Sequence, residues 1–142
     1  MRFKAELAML VVSLVMVMFF VVAAARAADP GAGIVHQISR QPLPEKPGMD
    51  VVVITVTYPP GGSTPAHEHP GFTYAYVLKG AVISALDNEP PKTYTEGQAW
   101  SEQPMQEHRV SKNASQTVPA ELLVFFVVPH DTTNLVIPLT HK

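Results

Sequence analysis

Short hydrophobic stretches with a two-residue period recur along this chain, and turn-forming residues separate them. Residues 49–58 read MDVVVITVTY and are followed by a Pro-Pro-Gly-Gly sequence. Alternating β-branched residues closed by Pro and Gly predict a β-strand. Comparable segments between turn signals predict further strands, at residues 72–78, 81–86, 92–95, 98–101, 108–111, 121–128 and 135–139.

The predicted elements place the chain in the all-β class. No segment after residue 27 has a helical period of useful length, and many short strands between turns predict a barrel or a sandwich. A chain of 142 residues allows one domain. Residues 28–48 are rich in Pro and Gly and predict an irregular N-terminal arm, so the barrel is expected over residues 49–142.

The first 27 residues have the three parts of a secretory signal peptide. Arg2 and Lys4 precede an apolar run over residues 7–25, and the run ends in an Ala-Arg-Ala sequence that suits cleavage after Ala27. We therefore expect an exported protein, either periplasmic or extracellular. The alternative is an uncleaved membrane anchor, because 19 residues are long enough to span a bilayer. A membrane is a partner only in that second case.

The charge balance argues against a nucleic-acid partner. The whole chain has a formal net charge of −2, and residues 28–142 carry seven Lys or Arg against eleven Asp or Glu, for a net charge of −4. Nucleic-acid binding requires a basic surface, which this composition does not provide. The chain has no cysteine, so imidazole and carboxylate are the only strong metal ligands that it offers.

Three histidines are candidates for metal ligands. His67 and His69 are separated by one residue, and side chains two apart on a strand point to the same face. His108 follows later, in another predicted strand. Two imidazoles side by side, with a third from a neighbouring strand, make half or more of a metal site. The alternatives are a solvated pair of loop histidines and a core histidine bonded to backbone, and ligation is favoured over both.

The segment around the first two histidines resembles the first sequence motif of the small single-domain cupins. That motif reads G-x5-H-x-H-x3,4-E-x6-G, and four residues of this chain match it: Gly61, His67, His69 and Gly80. Cupins fold as a double-stranded β-helix, or jelly-roll, barrel. The resemblance therefore implies a cupin barrel with a divalent metal ion, and the sequence does not distinguish Fe, Mn, Zn and Ni.

A second cupin motif, G-x5-P-x-G-x2-H-x3-N, is matched in part. Gly97 and His108 stand at the right separation, and Asn113 stands one residue late. Gln103 and Met105 occupy the positions of the motif's proline and glycine. The chain thus departs from the family at the turn before His108, where the family glycine favours a positive φ.

The glutamate of the first motif, which is normally a metal ligand, falls at Thr73. The resemblance therefore implies a three-histidine site made of His67, His69 and His108, which leaves a divalent cation its full +2 charge. Glu102 and Gln103 lie on the approach to His108 and would reach the site if the loop bends inward. Three residues are candidates for hydrogen bonds to the ligands or to a substrate: Thr73, Tyr74 and Gln103.

Two classes of function stay open. The first is an exported metal-dependent enzyme acting on a small organic molecule, with an oxygenase as the first reaction class, because three-histidine cupin sites resemble those of thiol and β-diketone dioxygenases. The second is a non-catalytic module in which the barrel binds a small molecule and the metal only fixes its shape. The resemblance also leaves a homodimer open, because cupins often pair through sheet edges.

Overall fold

The computed structural model describes residues 31–139, and every structural statement below concerns these residues. The predicted signal peptide, residues 1–27, lies outside them. The described chain contains no helix long and apolar enough to cross a membrane. Its strands are β1 (Ile34–Pro42), β2 (Met49–Tyr58), β3 (Ser63–Thr64), β4 (His67–Glu68), β5 (Phe72–Lys79), β6 (Ala81–Leu86), β7 (Lys92–Thr95), β8 (Ala99–Glu102), β9 (His108–Asn113), β10 (Ala120–Pro129) and β11 (Ile137–Pro138).

The strands form two antiparallel sheets, which confirms the all-β prediction. The first sheet has the order β1-β2-β10-β5-β8. The second has the order β11-β4-β9-β6-β7, and β3 also pairs with β9. Neighbours in each sheet are often distant in sequence, so the two histidine-bearing strands β4 and β9 become adjacent although about 40 residues separate them.

The alternating pattern of β2 and β10 builds the core. Val52 and Ile54 on β2 are buried, and they stand opposite Phe126 and Val124 on β10 in the antiparallel register. The intervening residues of β2 are more exposed, as a two-residue period requires. Burying a side chain of this size contributes roughly 1.5–3 kcal/mol, so these central strands hold the barrel together.

Residues 28–48 were predicted to form an irregular arm, but the middle of this segment forms strand β1. This strand pairs with β2 from Ile34 opposite Thr57 to Pro42 opposite Asp50, with an irregularity between Gln37 and Ser39. It lies at the edge of its sheet and most of its side chains are exposed. An edge strand of this kind has no apolar alternation, which is why the Pro and Gly content dominated the prediction.

Most other predicted strands differ from the observed ones by only a few residues. The predicted strand 121–128 corresponds to Ala120–Pro129, and the predicted 135–139 shrinks to Ile137–Pro138. The prediction for residues 98–101 is one residue out of register with Ala99–Glu102. That single residue has a large consequence, because Glu102 thereby becomes a strand residue with a defined inward direction.

Candidate metal centre

The three candidate histidines lie together inside the barrel. His67 is in β4 and stands opposite His108 of β9 in the ladder, and His69 follows directly after β4. All three side chains are buried. One nitrogen of each ring lies within 4.8 Å of the corresponding nitrogens of the other two. The i, i+2 spacing and the pairing of β4 with β9 together produce this cluster.

Backbone carbonyls orient the first two rings. His67 Nδ1 lies 2.7 Å from the carbonyl oxygen of Pro65, and His69 Nδ1 lies 2.6 Å from that of Leu135. A carbonyl only accepts hydrogen bonds, so each Nδ1 carries the proton and each Nε2 keeps its lone pair. This arrangement is typical of metal-binding histidines, whose second nitrogen donates to a carbonyl or carboxylate.

His108 is oriented from the second sheet. Its Nε2 lies 2.9 Å from the Ser84 hydroxyl, and its buried Nδ1 has no hydrogen-bond partner. When Ser84 accepts the Nε2 proton, Nδ1 keeps a lone pair. Burial, with smaller contributions from the neighbouring imidazoles, lowers the pKa of His108 to about 3. Burial likewise lowers the pKa of His69 to about 4 and lowers that of His67. The cluster is therefore neutral at pH 7, as metal ligation requires.

A carboxylate completes the cluster. Glu102, at the end of β8, is 1% exposed and accepts a 2.9 Å hydrogen bond from Trp100 Nε1 at its Oε1 atom. The same oxygen lies 3.3 Å from His108 Nδ1, and Oε2 lies 3.4 Å from His69 Nε2. Oε2 makes no hydrogen bond. Burial raises the pKa of Glu102 to about 7, since a charged carboxylate is poorly solvated here.

Thr73 lines the same cavity, on the strand next to Glu102. It is buried, it stands directly opposite Glu102 in the β5–β8 ladder, and its hydroxyl donates a long 3.3 Å hydrogen bond to the carbonyl oxygen of Gly71. The position of the family glutamate therefore offers a hydroxyl, and the neighbouring strand offers the carboxylate.

Tyr74 and Gln103, two of the predicted hydrogen-bonding candidates, lie outside the cavity. The Tyr74 side chain is on the outer face of β5 and is 43% exposed, because successive strand residues point to opposite faces and Thr73 points inward. Gln103 follows Glu102, is exposed, and its backbone N–H donates to the Gln106 side chain. Neither of these two residues lines the cavity, whereas Glu102 does.

The cavity next to these residues is small and mostly apolar. Its volume is about 70 Å³, enough for several waters or a molecule of a few carbon atoms. A short polar chain lies in its wall, where the Tyr58 hydroxyl is 2.7 Å from Thr64 Oγ1 and 2.8 Å from Ser111 Oγ. The apolar part of the lining includes Ile54, Val56, Ala75, Trp100, Leu122, Val124 and Phe126.

The turn before His108 keeps the conformation that the family glycine would favour. Met105 has a φ of 59°, and its backbone N–H donates to the carbonyl oxygen of His69 at 2.8 Å. A left-handed conformation costs a residue with a side chain about 1–2 kcal/mol. The loop therefore holds a strained residue in place and joins the segments of two candidate ligands.

Asn113, one residue late in the second motif, supports the end of β9. Its buried amide nitrogen donates to the carbonyl oxygens of Pro59 and Val118 at 3.0 and 2.8 Å, and its Oδ1 accepts from the backbone N–H of Ser115 at 2.8 Å. This residue fixes two loops by satisfying backbone groups that would otherwise be buried without partners.

The donor set fits a divalent cation. His67 and His69 each have one ring nitrogen with a free lone pair, and His108 has one when Ser84 accepts its Nε2 proton. The adjacent carboxyl group has an oxygen without a hydrogen bond. Buried acceptors that face one another without a donor are costly, and a cation relieves this cost. Imidazole and carboxylate are ligands that Fe, Mn, Zn and Ni all accept. The three histidines are the residues that would hold such an ion, and Glu102 lies beside two of them.

The fold and this cluster define a small jelly-roll barrel with a histidine-lined cavity. The Cupin_2 family, described as a cupin domain, matches residues 54–126, just over half of the chain. The chain belongs to the cupin family. A search of curated proteins found no relative with significant sequence similarity.

Solved structures share the fold at low sequence identity. An uncharacterized conserved protein with a double-stranded β-helix domain from Klebsiella pneumoniae has a TM-score of 0.58 at 20% identity, covering 76% of this chain and 86% of that one. The DMSP lyase DddQ from Ruegeria pomeroyi has a TM-score of 0.57 at 16% identity, and the match covers 75% of this chain and 51% of that one. An oxalate oxidase has a TM-score of 0.56 at 19% identity, and the match covers 75% of this chain and 55% of that one.

These likenesses confirm the predicted double-stranded β-helix barrel. The chain spans about half the length of DddQ and of the oxalate oxidase. At identities of 16–20% the likeness establishes the fold, and a shared fold does not establish a shared activity.

Proposed function

We propose that this protein is an exported, metal-dependent cupin enzyme that acts on a small organic molecule. One observation carries the proposal: three buried histidines, each with one ring nitrogen within 4.8 Å of the others, line a small cavity. Neutral imidazoles aimed at a common point are costly to bury without a partner, and they are the ligand set that transition metals prefer.

The chain's own residues define what the cavity accepts. His67, His69 and His108 would hold the ion, which would supply Lewis-acid chemistry to a bound substrate. The apolar wall excludes water from the reacting group. The Tyr58 and Thr73 hydroxyls are placed to hydrogen-bond a polar group of the substrate. The small volume limits the substrate to a few carbon atoms.

An oxygen-dependent reaction is the first class to test. The histidine-rich ligand set resembles that of cupin dioxygenases, and one structural neighbour is an oxalate oxidase. Another neighbour is a lyase, which supports a reaction without oxygen as the second class. Oxygen uptake should be measured with small thiols, small diketones and short carboxylic acids. A protein that binds metal but turns over none of these would be assigned to the non-catalytic binding module.

The first experiment measures metal. Residues 28–142 should be purified under reducing, iron-supplied conditions, and the metal content compared between the wild type and the His67→Ala/His69→Ala variant. His36→Ala serves as the control, because His36 is exposed and outside the cavity. We expect about one ion per chain in the wild type and the control, and almost none in the double variant.

Two results would overturn this proposal. A wild type without metal would remove the enzyme function. Metal retained by the double variant would show that the ion is bound by other residues. Circular dichroism of each variant in its metal-free form establishes that the barrel is folded before the contents are compared.

We also propose that residues 1–27 are removed on export. The support is the order of basic residues, apolar run and Ala-Arg-Ala sequence in the leader. The mass of the protein recovered from the exported fraction of an expressing cell tests it. A chain beginning at residue 28 is expected, and an intact chain beginning at Met1 would contradict cleavage and favour the anchor.

A further inference from the structure

We propose that Glu102 supplies the carboxylate of the metal centre, from β8, in place of the glutamate that the family motif carries on β5. This inference rests on the proposed metal binding by the three histidines. The cupin motif places the carboxylate ligand at position 73, and we assign that role to position 102.

Two buried polar atoms at the proposed site have no hydrogen-bond partner. Glu102 Oε2 and His108 Nδ1 are both buried and both lack a hydrogen-bond partner. Glu102 Oε1 lies 3.3 Å from His108 Nδ1, and Oε2 lies 3.4 Å from His69 Nε2. With Ser84 accepting the Nε2 proton of His108, a carboxylate and two neutral imidazoles present lone pairs to one another at these distances. A cation between them gives all three a partner.

The position of Glu102 in the β5–β8 ladder also supports the ligand role. Thr73 and Glu102 are directly opposed in the β5–β8 pair, and both side chains point into the cavity. Opposed residues in an antiparallel pair have Cβ atoms about 4.5–5.5 Å apart. A carboxylate at position 102 therefore lies at the same level of the barrel as one at position 73 would. The length of a Glu side chain compensates for the distance between the two Cβ atoms.

A purely structural role for Glu102 is the competing explanation. Its Oε1 accepts the indole N–H of Trp100 at 2.9 Å, and a buried indole N–H needs an acceptor. That role requires only a neutral oxygen, which glutamine also provides. The Glu102→Gln variant therefore keeps the hydrogen bond to Trp100 and removes the negative charge, so it separates the two explanations.

The proposal also predicts a change of metal preference. Three neutral imidazoles leave a divalent ion its full charge, whereas a carboxylate reduces the charge of the site to +1. Carboxylate ligands suit Mn²⁺, and imidazole suits Zn²⁺. The loss of Glu102 should consequently weaken Mn²⁺ binding more than Zn²⁺ binding.

The test measures the dissociation constants of Mn²⁺ and Zn²⁺ by chelator competition, for wild type and Glu102→Gln. Glu96→Gln is the matched control, because Glu96 is exposed on a turn and makes no contact with the cavity. We expect Glu102→Gln to bind Mn²⁺ at least about tenfold more weakly, with a smaller change for Zn²⁺. The control should bind both ions as the wild type does.

A second readout separates a ligand from a residue that acts through a histidine. Infrared difference spectra, metal-loaded minus metal-free, detect a carboxylate whose stretching bands shift on coordination. We expect the shifted band in the wild type and in Glu96→Gln, and its absence in Glu102→Gln. Weaker binding without any carboxylate band in the wild type would overturn the ligand role.

The outcomes distinguish this inference from the proposed function. A wild type that binds neither metal removes the metal site as a whole. A wild type that binds metal, together with a Glu102→Gln variant of equal affinity for both ions, removes only the role of Glu102. Thermal unfolding of the metal-free variants identifies any variant that has simply lost its fold.

Discussion

Two buried carboxylates in this protein, Asp50 and Glu102, have opposite surroundings. Each is 1% exposed. Asp50 on β2 lies 2.7 Å from His130 Nδ1 and 2.6 Å from Arg40 Nε. These hydrogen bonds, with His130 contributing most, lower the pKa of Asp50. Glu102 has one neutral donor, and burial raises its pKa.

We infer from this difference that Asp50 is structural and that Glu102 belongs to the proposed metal site. A buried acid is tolerated when the chain supplies a countercharge, as Arg40 does for Asp50. Among the described residues, only neutral histidines lie within ion-pair distance of Glu102. A carboxylate whose countercharge is missing from the described chain is poised for one that comes from solution, which a metal ion provides. The following predictions test this contrast, from the largest expected effect to the smallest.

Loss of Asp50 should destabilise the fold without affecting metal. In Asp50→Ala the Arg40 guanidinium and His130 lose their buried partner at the β1–β2 ladder. We expect the largest fall in thermal midpoint of all the variants considered, with metal content per folded chain unchanged. Differential scanning calorimetry and metal analysis check this, with the exposed Asp131→Ala as control. Loss of metal in Asp50→Ala would break the distinction between the two acids.

The metal-free protein should lose stability as pH rises through neutrality. The pKa of Glu102 is raised from 4.5 to about 7, so its contribution is fully present below pH 4.5 and is lost as pH rises through 7. The shift corresponds to roughly 3 kcal/mol. We expect metal-free Glu102→Gln to lack this decline and to exceed the wild type in stability at high pH.

The histidines have the opposite effect on the pH dependence of stability. The lowered pKa values of His69 and His108, about 4 and about 3, give a contribution present above pH 6.5 and lost as pH falls through those values. Urea unfolding with a chelator, from about pH 4 to 9, should therefore show an acid limb in both proteins and an alkaline limb only in the wild type. Identical curves would contradict the assignment of the alkaline limb to Glu102.

Moving the carboxylate back to the family position should preserve the metal site. Thr73→Glu/Glu102→Gln places the acid on β5 and keeps an acceptor for the Trp100 indole. Thr73 lines the cavity, so the longer side chain extends into it. We expect Mn²⁺ affinity within about tenfold of the wild type, clearly above that of Glu102→Gln alone. Equal weakness of the two variants would argue that the site does not depend on a carboxylate at this level of the barrel.

The strained loop between Glu102 and His108 should give the smallest effect. Met105 has a positive φ and an exposed side chain. Met105→Gly relieves the strain, and we expect a gain of about 1 kcal/mol in unfolding free energy, with metal affinity unchanged. Met105→Ala keeps the strain and should show no gain. Equal stabilities of the two variants, measured in denaturant, would show that the loop is not strained.

Most of the strands and the common face of His67 and His69 could be predicted from the sequence. Alternation predicted most strands because their inner faces build the core, and the spacing of His67 and His69 predicted a common face. Strand β1 was not predicted, since an exposed edge strand carries no apolar period. The alternation of apolar and polar residues indicates only which side chains are buried. An exposed edge strand is held chiefly by backbone hydrogen bonds to its neighbour, so it leaves no such alternation in the sequence.

Glu102 was predicted to reach the site only if its loop bends inward, and its place at the end of a strand was not predicted, for a physical reason different from that for β1. The predicted strand ended at residue 101, so the inward direction of Glu102 was not assigned, although Trp100 and Glu102 share a face by their i, i+2 spacing. Its pairing with Thr73 depends on which strands become neighbours, and that is decided by the closure of the whole barrel. A shift of one residue at a strand end therefore separated the expected three-histidine site from the one with a carboxylate beside it.

Anomalous diffraction from crystals of residues 28–142 grown with Mn²⁺ or Zn²⁺ tests the central claim most directly. The account predicts one strong peak inside the barrel, within about 2.0–2.3 Å of a ring nitrogen of each of His67, His69 and His108 and of an oxygen of Glu102. A barrel without such a peak, or an ion bound instead at the Asp50–His130 pair, would contradict it.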